Sequence, residues 1–386
     1  MHLPWEDGVS SATLLYVASY AGNITTLNLT LHSNTSGSLH AVSSTDGCAP
    51  NPSWLTLDRA NSTLYCLDEG LNVHKGTLSS YKTSEDGTLA RLDKVDTIWG
   101  PVYGAIYGSG GRGLALAEYL GSSVTSYSIA DPAALALVQA ETFHLPHPGV
   151  DPVRQDAAHP HEALVDPTGQ FLVVPDLGSD LVRIFSIDSD TLKWTELDPL
   201  VAVPGSGPRH GAFLVTANKT FYFLVTELSS TLTTYEVQYN SNKTLTFHAV
   251  YNTTTHGGPS APPGASGAEI HISPDSRFLI VSSRAEGTLS IPNFDRKNGT
   301  KIPSDPLFNF EIDPETGALH LIQTFPAGGM IPRQFSINKA GTLLAVGLQQ
   351  DGRVVVISRD PASGWLTSFV GSADVEGQIT CALFDE

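Results

Sequence analysis

Apolar and polar residues alternate with period two over short runs along nearly the whole chain, and Gly, Asn, Asp and Pro separate the runs. This is the pattern of β-strands, and no sustained helical periodicity interrupts it. The runs belong to a larger unit: Pro-x-(His/Arg/Trp), alternating apolar residues, a turn, an apolar run, a polar loop and a further strand. It reads PSWLTLDRANSTLYCLDE around Asp58, HPHEALVDPTGQFLVVPDLGSDLVRIFSID around Asp166 and PRQFSINKAGTLLAVGLQQDGRVVVIS around Asn338. In the unit around Ser273, AEIHISPDSRFLIVSSRAEGTLSIPNF, the run GTLSIPNF is expected to be the third strand. Turn anchors at Asp58, Gly108, Asp166, Thr216, Ser273 and Asn338 recur roughly every 50 to 65 residues, the spacing of propeller blades.

Six such units leave the two ends of the chain to make a seventh. Thr13 to Asn23 matches the second and third strands of a blade that lacks its first, and Gln378 to Phe384 matches the missing strand. Closing a ring in this way removes exposed sheet edges. The expectation is therefore an all-β, seven-bladed propeller, with residues 1–386 forming a single domain. The stretches His144 to His159 and His256 to Gly267 interrupt the pattern as long rim loops, which usually shape a binding site.

Charge narrows the partners. A formal net charge of -18 speaks against nucleic acid and anionic membrane, and no apolar run reaches the roughly 20 residues of a membrane-spanning helix. Asn-x-Ser/Thr occurs at Asn23, Asn28, Asn34, Asn61, Asn218, Asn242, Asn252 and Asn298. Chance would supply roughly three such sequons. Asn61 and Asn218 fall in hairpin turns, where a glycan would meet solvent. The expected setting is extracellular, with Met1 standing where a signal peptide was removed. Of the three cysteines, Cys48 and Cys66 could pair across neighbouring blades, and Cys381 is expected as a buried thiol. No Cys/His spacing suggests a metal, and neither a metal nor another cofactor is expected.

Candidate chemistry collects where inner strands begin. Four starts carry charge or imidazole instead of apolar residues: His159-Pro-His161-Glu162, Gly207-Pro-Arg209-His210, Glu269-Ile-His271 and Pro332-Arg333-Gln334. Polar residues at the ends of second strands, Glu118, Asp176, Glu227, Arg284 and Gln349, are taken as equivalent positions facing the same mouth. Trp54 and Tyr103 are expected to line it. Burying so much charge is costly unless partners or a ligand compensate it.

These motifs, with TELSSTLTTYEV after the GPRH of Gly207–His210, the IHISPD of Ile270–Asp275 and the PRQF of Pro332–Phe335, resemble the seven-bladed lactonase family. That family includes the propeller-type 6-phosphogluconolactonases and the fungal 3-carboxy-cis,cis-muconate lactonizing enzyme. The resemblance covers nearly the whole chain. It implies catalysis by His161, Glu227, Arg209 and Arg284, with His159, His210, Glu269, His271, Arg333, Gln334, Trp54 and Tyr103 around a small lactone. Glu227 and His161 would share proton transfers, while Arg209 and Arg284 hold a carbonyl or carboxylate oxygen. Three readings stay open: a secreted lactonase acting on sugar lactones such as glucono-1,5-lactone or cellobionolactone, a muconate-type cycloisomerase, and a non-enzymatic binding platform. The sequons favour the first, and the charged mouth disfavours the last.

Overall fold

Proline opens the inner strands at Pro52, Pro101, Pro208 and Pro332, and Pro160 makes the isolated bridge that precedes a fifth. At the first position of a strand the missing N–H removes no ladder bond. A β-bulge follows at once, because the register shifts between Pro52 and Trp54, Pro101 and Tyr103, Pro208 and His210, and Pro332 and Gln334. Such an extra residue bends the strand and re-aims its side chains. The repeated proline thus marks the place in each blade where side chains can be turned toward the axis.

The computed structural model describes residues 13–33, 35–295 and 297–386, which form seven four-stranded antiparallel sheets. The first blade runs outward as Pro52–Asp58, Thr63–Asp68, Gly76–Thr83 and Leu89–Thr97. The closing blade is built as expected: Ile379–Phe384 pairs with Thr13–Ser19, with Leu15 opposite Phe384 and Val17 opposite Ala382. A disulfide between Cys48 and Cys66 staples this blade to the first, and Cys381 is a buried thiol. Hairpins between inner and second strands close on side-chain acceptors at the turn anchors. Asp166 accepts from the Gln170 and Phe171 N–H groups, Thr216 from Lys219, and Asn338 from Thr342 and Leu343.

The fifth blade corrects the sequence reading. Its third strand is Pro306–Ile312, not GTLSIPNF. Leu289–Pro292 instead pairs with Lys301–Ser304 in a separate two-stranded hairpin. Buried Asp305 anchors its root by accepting the N–H groups of Ala285, Glu286, Gly287 and Ile331. The inserted strand has the same alternation as a blade strand, so its pattern could not betray it.

Seven apolar clusters fill the seven gaps between neighbouring blades. The second strands Thr63–Asp68, Gly113–Glu118, Phe171–Asp176 and Leu343–Leu348 are buried along their whole length, since both faces are covered. Stability therefore resides between blades, and the axis is left for polar groups. Of the sequons, Asn61, Asn218, Asn242, Asn252 and Asn298 are exposed, and Asn61 and Asn218 occupy hairpin turns. Asn28 is a poorer acceptor than expected, half-buried in Ile24–Ser33 with its Oδ1 enclosed; Asn23 is half-buried, and Asn34 lies outside the described residues.

Candidate active site

One residue past the end of the second strand, six blades repeat the same contact. The N–H of that residue donates to a carbonyl just before the inner strand. The pairs are Tyr20 with Gln378 at 2.9 Å, Glu69 with Asn51 at 3.0 Å and Tyr119 with Gly100 at 2.7 Å. Leu177 with His159 at 3.0 Å, Glu227 with Gly207 at 2.7 Å and Gln349 with Ile331 at 2.9 Å complete the set. These side chains ring one mouth of the channel. Glu118 and Asp176 do not belong to it, because they lie directly opposite Pro101 and Pro160, one residue earlier. One step along a strand reverses the face. Glu118 is accordingly sealed inside its blade, where burial raises its carboxyl to about 8. Asp176 is occupied by Arg183, Ser179 and the His159 N–H.

Glu227 sits in a cage of guanidinium groups. Its Oε2 is 2.9 Å from Arg209 Nε and 2.8 Å from Arg284 Nη2, and its Oε1 accepts from Arg154 Nη2. Burial alone would raise this carboxyl, but Arg284, Arg209 and Arg154 together hold it far below the usual range. A carboxylate held so firmly in its ionised form is a poor proton carrier near neutrality, which argues against the proton-transfer role expected for it. Arg209 is 2% exposed, and neither its Nε nor its Nη1 has a directed hydrogen bond among the described residues. Its closeness to Glu227 is an ion pair by distance, not an aligned donor contact. Burial and the neighbouring Arg284 lower it to about 9, so it stays cationic at neutral pH. Arg284 is tied to Ser266 Oγ at 2.7 Å, and its Nε is likewise without a partner.

Beside this cage runs a chain of hydrogen bonds. His161 Nδ1 lies 3.0 Å from His210 Nε2, and His210 Nδ1 lies 2.9 Å from Glu269 Oε1. Burial raises the Glu269 carboxyl, yet His210, His271 and Arg209 outweigh it and hold the group at about 2. Burial lowers His210 to about 4 and, with Arg209, His210, Arg333 and Arg284, pushes His161 well below 6.5. Glu269 is thus an anion facing two neutral imidazoles, and that fixes the protons. His210 donates from Nδ1 to Glu269, His161 donates from Nδ1 to His210, and the Nε2 of His161 is left bare. It has no hydrogen-bond partner among the described residues. The bulge explains how consecutive Arg209 and His210 both serve the site. His161 escapes regular pairing because the inner strand of its blade is reduced to Leu164–Val165.

The other expected residues divide. Arg333 donates to Tyr20 Oη at 2.5 Å and to Glu69 at 3.1 Å, so it lies at the same mouth with its donors engaged. His159 is not free for a ligand: its Nδ1 contacts the Tyr119 carbonyl at 2.8 Å and its Nε2 contacts Asp156 at 3.0 Å. Its ring stacks on Tyr119 at 4.2 Å and supports it. Gln334 is also structural, donating to Phe335 O and accepting from the Ala382 N–H at 2.7 Å. Trp54 and Tyr103, stacked at 4.1 Å, line with His271 and Gln334 a separate cavity that includes Leu57, Leu383 and Phe384 from the far ends of inner strands. Trp54 and Tyr103 also meet His210 edge-on, at 6.1 and 5.3 Å, so they stand between that cavity and the histidine chain.

Sequence reasoning missed Arg154, Tyr20, Glu69 and Tyr119 as mouth residues. Three of them occupy the position just past the second strand, a signal the correct register would have exposed. Arg154, 41% exposed, comes from the rim loop, which is pinned by buried Gln155 donating to the Leu177 carbonyl at 2.9 Å. Glu162 shares the strand start of His161. It is sealed in the channel wall, accepting the Gly211 N–H at 2.6 Å, and burial with the nearby Glu269 raises its carboxyl well above 4.5.

Comparison with known proteins places this geometry in context. The family described as "Lactonase, 7-bladed beta-propeller" matches residues 14–384. A protein of Arthroderma benhamiae named "Probable 6-phosphogluconolactonase" is 31% identical over 362 residues, covering 94% of this chain and 86% of its own. A 6-phosphogluconolactonase of Formosa agariphila is 28% identical over 354 residues, covering 90% and 92%. Among solved structures, the periplasmic gluconolactonase of Pseudomonas aeruginosa superposes with a TM-score of 0.79 at 25% identity, covering 97% of this chain and 99% of its own.

Proposed function

The chain belongs to the seven-bladed β-propeller lactonase family, and from that premise we propose that it opens sugar lactones outside the cell, with His161 as general base and Arg209 as the donor to the oxyanion. The observation that supports this reading best is the chain Glu269–His210–His161, ending on a bare imidazole nitrogen beside a buried guanidinium without directed partners. Water attacking the lactone carbonyl gives its proton to His161 Nε2. The positive charge that forms is shared with His210 and stabilised by Glu269, which also holds the tautomer. Arg209, with Arg284 beside it, meets the oxygen on which negative charge develops. His161 then returns the proton to the departing ring alkoxide, and the product is a hydroxy acid. Glu227 in this scheme positions the arginines and carries no proton. No metal takes part, so a chelator is expected to leave the rate unchanged.

Glucono-1,5-lactone and cellobionolactone are the substrates proposed, on the strength of the sequons and of the likeness to the periplasmic gluconolactonase. A pH-indicator assay with gluconolactone, cellobionolactone, 6-phosphogluconolactone and carboxymuconate side by side tests this. Opening of the unphosphorylated lactones is expected; turnover of carboxymuconate alone would replace the reading with a cycloisomerase. Secretion has its own test. Made in a eukaryotic secretory host, the protein should run as a heterogeneous glycoprotein that collapses in mass after endoglycosidase, with Asn61 and Asn218 among the occupied sites. An intact mass without glycan would remove the extracellular assignment and leave the chemistry untouched.

A further inference from the structure

The outermost strand of the third blade, Lys193–Val201, breaks step with its neighbour. Leu200 faces Val182 and Leu197 faces Ile184, so Asp198 and Pro199 together face Arg183. Such a bulge bends the strand, and a groove of ≈ 400 Å³ runs between it and the fourth blade. Leu197 and Leu200 line it from the third blade, Leu245 and Phe247 from the fourth. The turn of the fourth blade between Thr231–Tyr239 and Leu245–Thr254 puts Asn242 and Thr244 in the same wall. These two are the acceptor and the hydroxyl of an Asn-x-Thr sequon, and Asn242 is exposed. Asn240 Nδ2 donates to Thr244 Oγ1 at 3.1 Å, and that hydroxyl donates to Asn242 Oδ1 at 2.7 Å. The relay fixes the Asn242 carboxamide by its oxygen. Its Nδ2, the atom to which a glycan is joined, has no partner among the described residues. Asn61 and Asn252 differ, since their Nδ2 atoms donate to Asp58 at 2.7 Å and to Thr233 at 2.8 Å.

We propose that Asn242 carries an N-linked glycan whose first N-acetylglucosamine lies in this groove. The ring sets a C–H face against Leu197 and Phe247, and its hydroxyls reach the exposed Asp198 carboxylate at the rim. A sugar already joined to the chain has little translational freedom left to lose, so a contact too weak to hold a free saccharide suffices. The covalent acceptor in the groove wall thus names the occupant, which an apolar lining alone would not. The turn lies at the end of its blade remote from the arginine-rich mouth, because the second strand ends at that mouth and the third starts there. A glycan on it leaves the way open for a lactone. The inference rests on the extracellular reading and not on the lactonase chemistry.

The protein made in a eukaryotic secretory host is treated, still folded, with peptide N-glycosidase, and release at each sequon is read by peptide mass spectrometry. Asn242 should be freed about tenfold more slowly than Asn218, whose turn is exposed, and the two alike after denaturation. Hydrogen exchange gives a readout in the neighbouring blade. Amides of residues 197–201 should exchange about tenfold faster in Asn242→Gln than in the wild type, and no faster in Asn218→Gln. Made without glycans in a bacterial periplasm, the wild type and Asn242→Gln should exchange alike there, which separates the glycan from the substitution itself. Thermal midpoints show that each variant is folded. Equal release at Asn242 and Asn218, an unoccupied Asn242, or exchange at 197–201 that ignores the glycan overturns the proposal. Protection that grows with protein concentration instead assigns the groove to a second copy and overturns it too. A protein bare at every sequon overturns the extracellular reading as well, whereas glycans at other sequons alone leave that reading standing.

Discussion

Replacing His161 by alanine is expected to lower kcat for a lactone by about 10²- to 10⁴-fold, the usual contribution of a positioned base. The size follows from what is left behind: among the described residues no other imidazole at the arginine-rich mouth has a bare nitrogen, because His210 is committed to His161 and Glu269, and His159 to Tyr119 and Asp156. Arg209→Lys should cost about 10²-fold in kcat, since an ammonium cannot reproduce the planar fork that reaches Glu227 and an oxyanion together. Glu227→Gln separates two schemes. If Glu227 positions the arginines, the neutral isostere changes rate and KM but keeps the wild-type pH profile. If it transfers protons, the acid limb of that profile disappears. Steady-state kinetics on all three variants, with thermal midpoints measured alongside, decide between these outcomes.

Deleting the last nine residues is expected to abolish the cooperative fold. The lost strand carries Ile379 and Phe384, whose burial is worth roughly 3 to 6 kcal/mol. A whole domain is stable by only about 5 to 15 kcal/mol. The deletion also removes the Ala382 N–H that Gln334 accepts and the Thr380 hydroxyl that donates to the Pro52 carbonyl at 2.7 Å, and it bares an edge of Thr13–Ser19. The disulfide from Cys48 to Cys66 cannot compensate, because it joins the loop after the closing blade to the second strand of the first and supplies no inner strand. A thermal melt followed by circular dichroism should show no cooperative transition, or one shifted far down. A truncated protein with an unchanged midpoint would show that the ring does not depend on its closing strand.

The blades were legible because their grammar is local. Proline, a short alternating run and a turn with a side-chain acceptor recur in each unit, and the orphaned strands at both ends match only each other. What the pattern could not carry was register and origin. A shift of one residue separates Glu227, Glu69 and Tyr119 at the mouth from Glu118 and Asp176 inside their blades, and no composition signal distinguishes the two sets. The hairpin at Leu289–Ser304 copies blade periodicity while lying outside the blade. Arg154 reaches Glu227 only through the fold of a rim loop. His161 and His210 could each be picked out as unusual residues in a strand start, but which nitrogen faces which partner is a matter of three-dimensional placement. The same holds for Trp54, Tyr103 and His271, which back the His210–Glu269 pair and also line the cavity behind it.

The pH dependence of kcat/KM on gluconolactone, corrected for spontaneous opening, is the most direct test of His161 as the base. Burial and the surrounding cations lower its pKa, so the neutral, active imidazole predominates above the ordinary value of 6.5 and is lost only as the solution becomes more acid. The rate should be level through neutrality, fall only at pH values well below the ordinary imidazole range, and keep that shape in Glu227→Gln. An inflection at or above pH 7, or an acid limb that vanishes with Glu227, would contradict it.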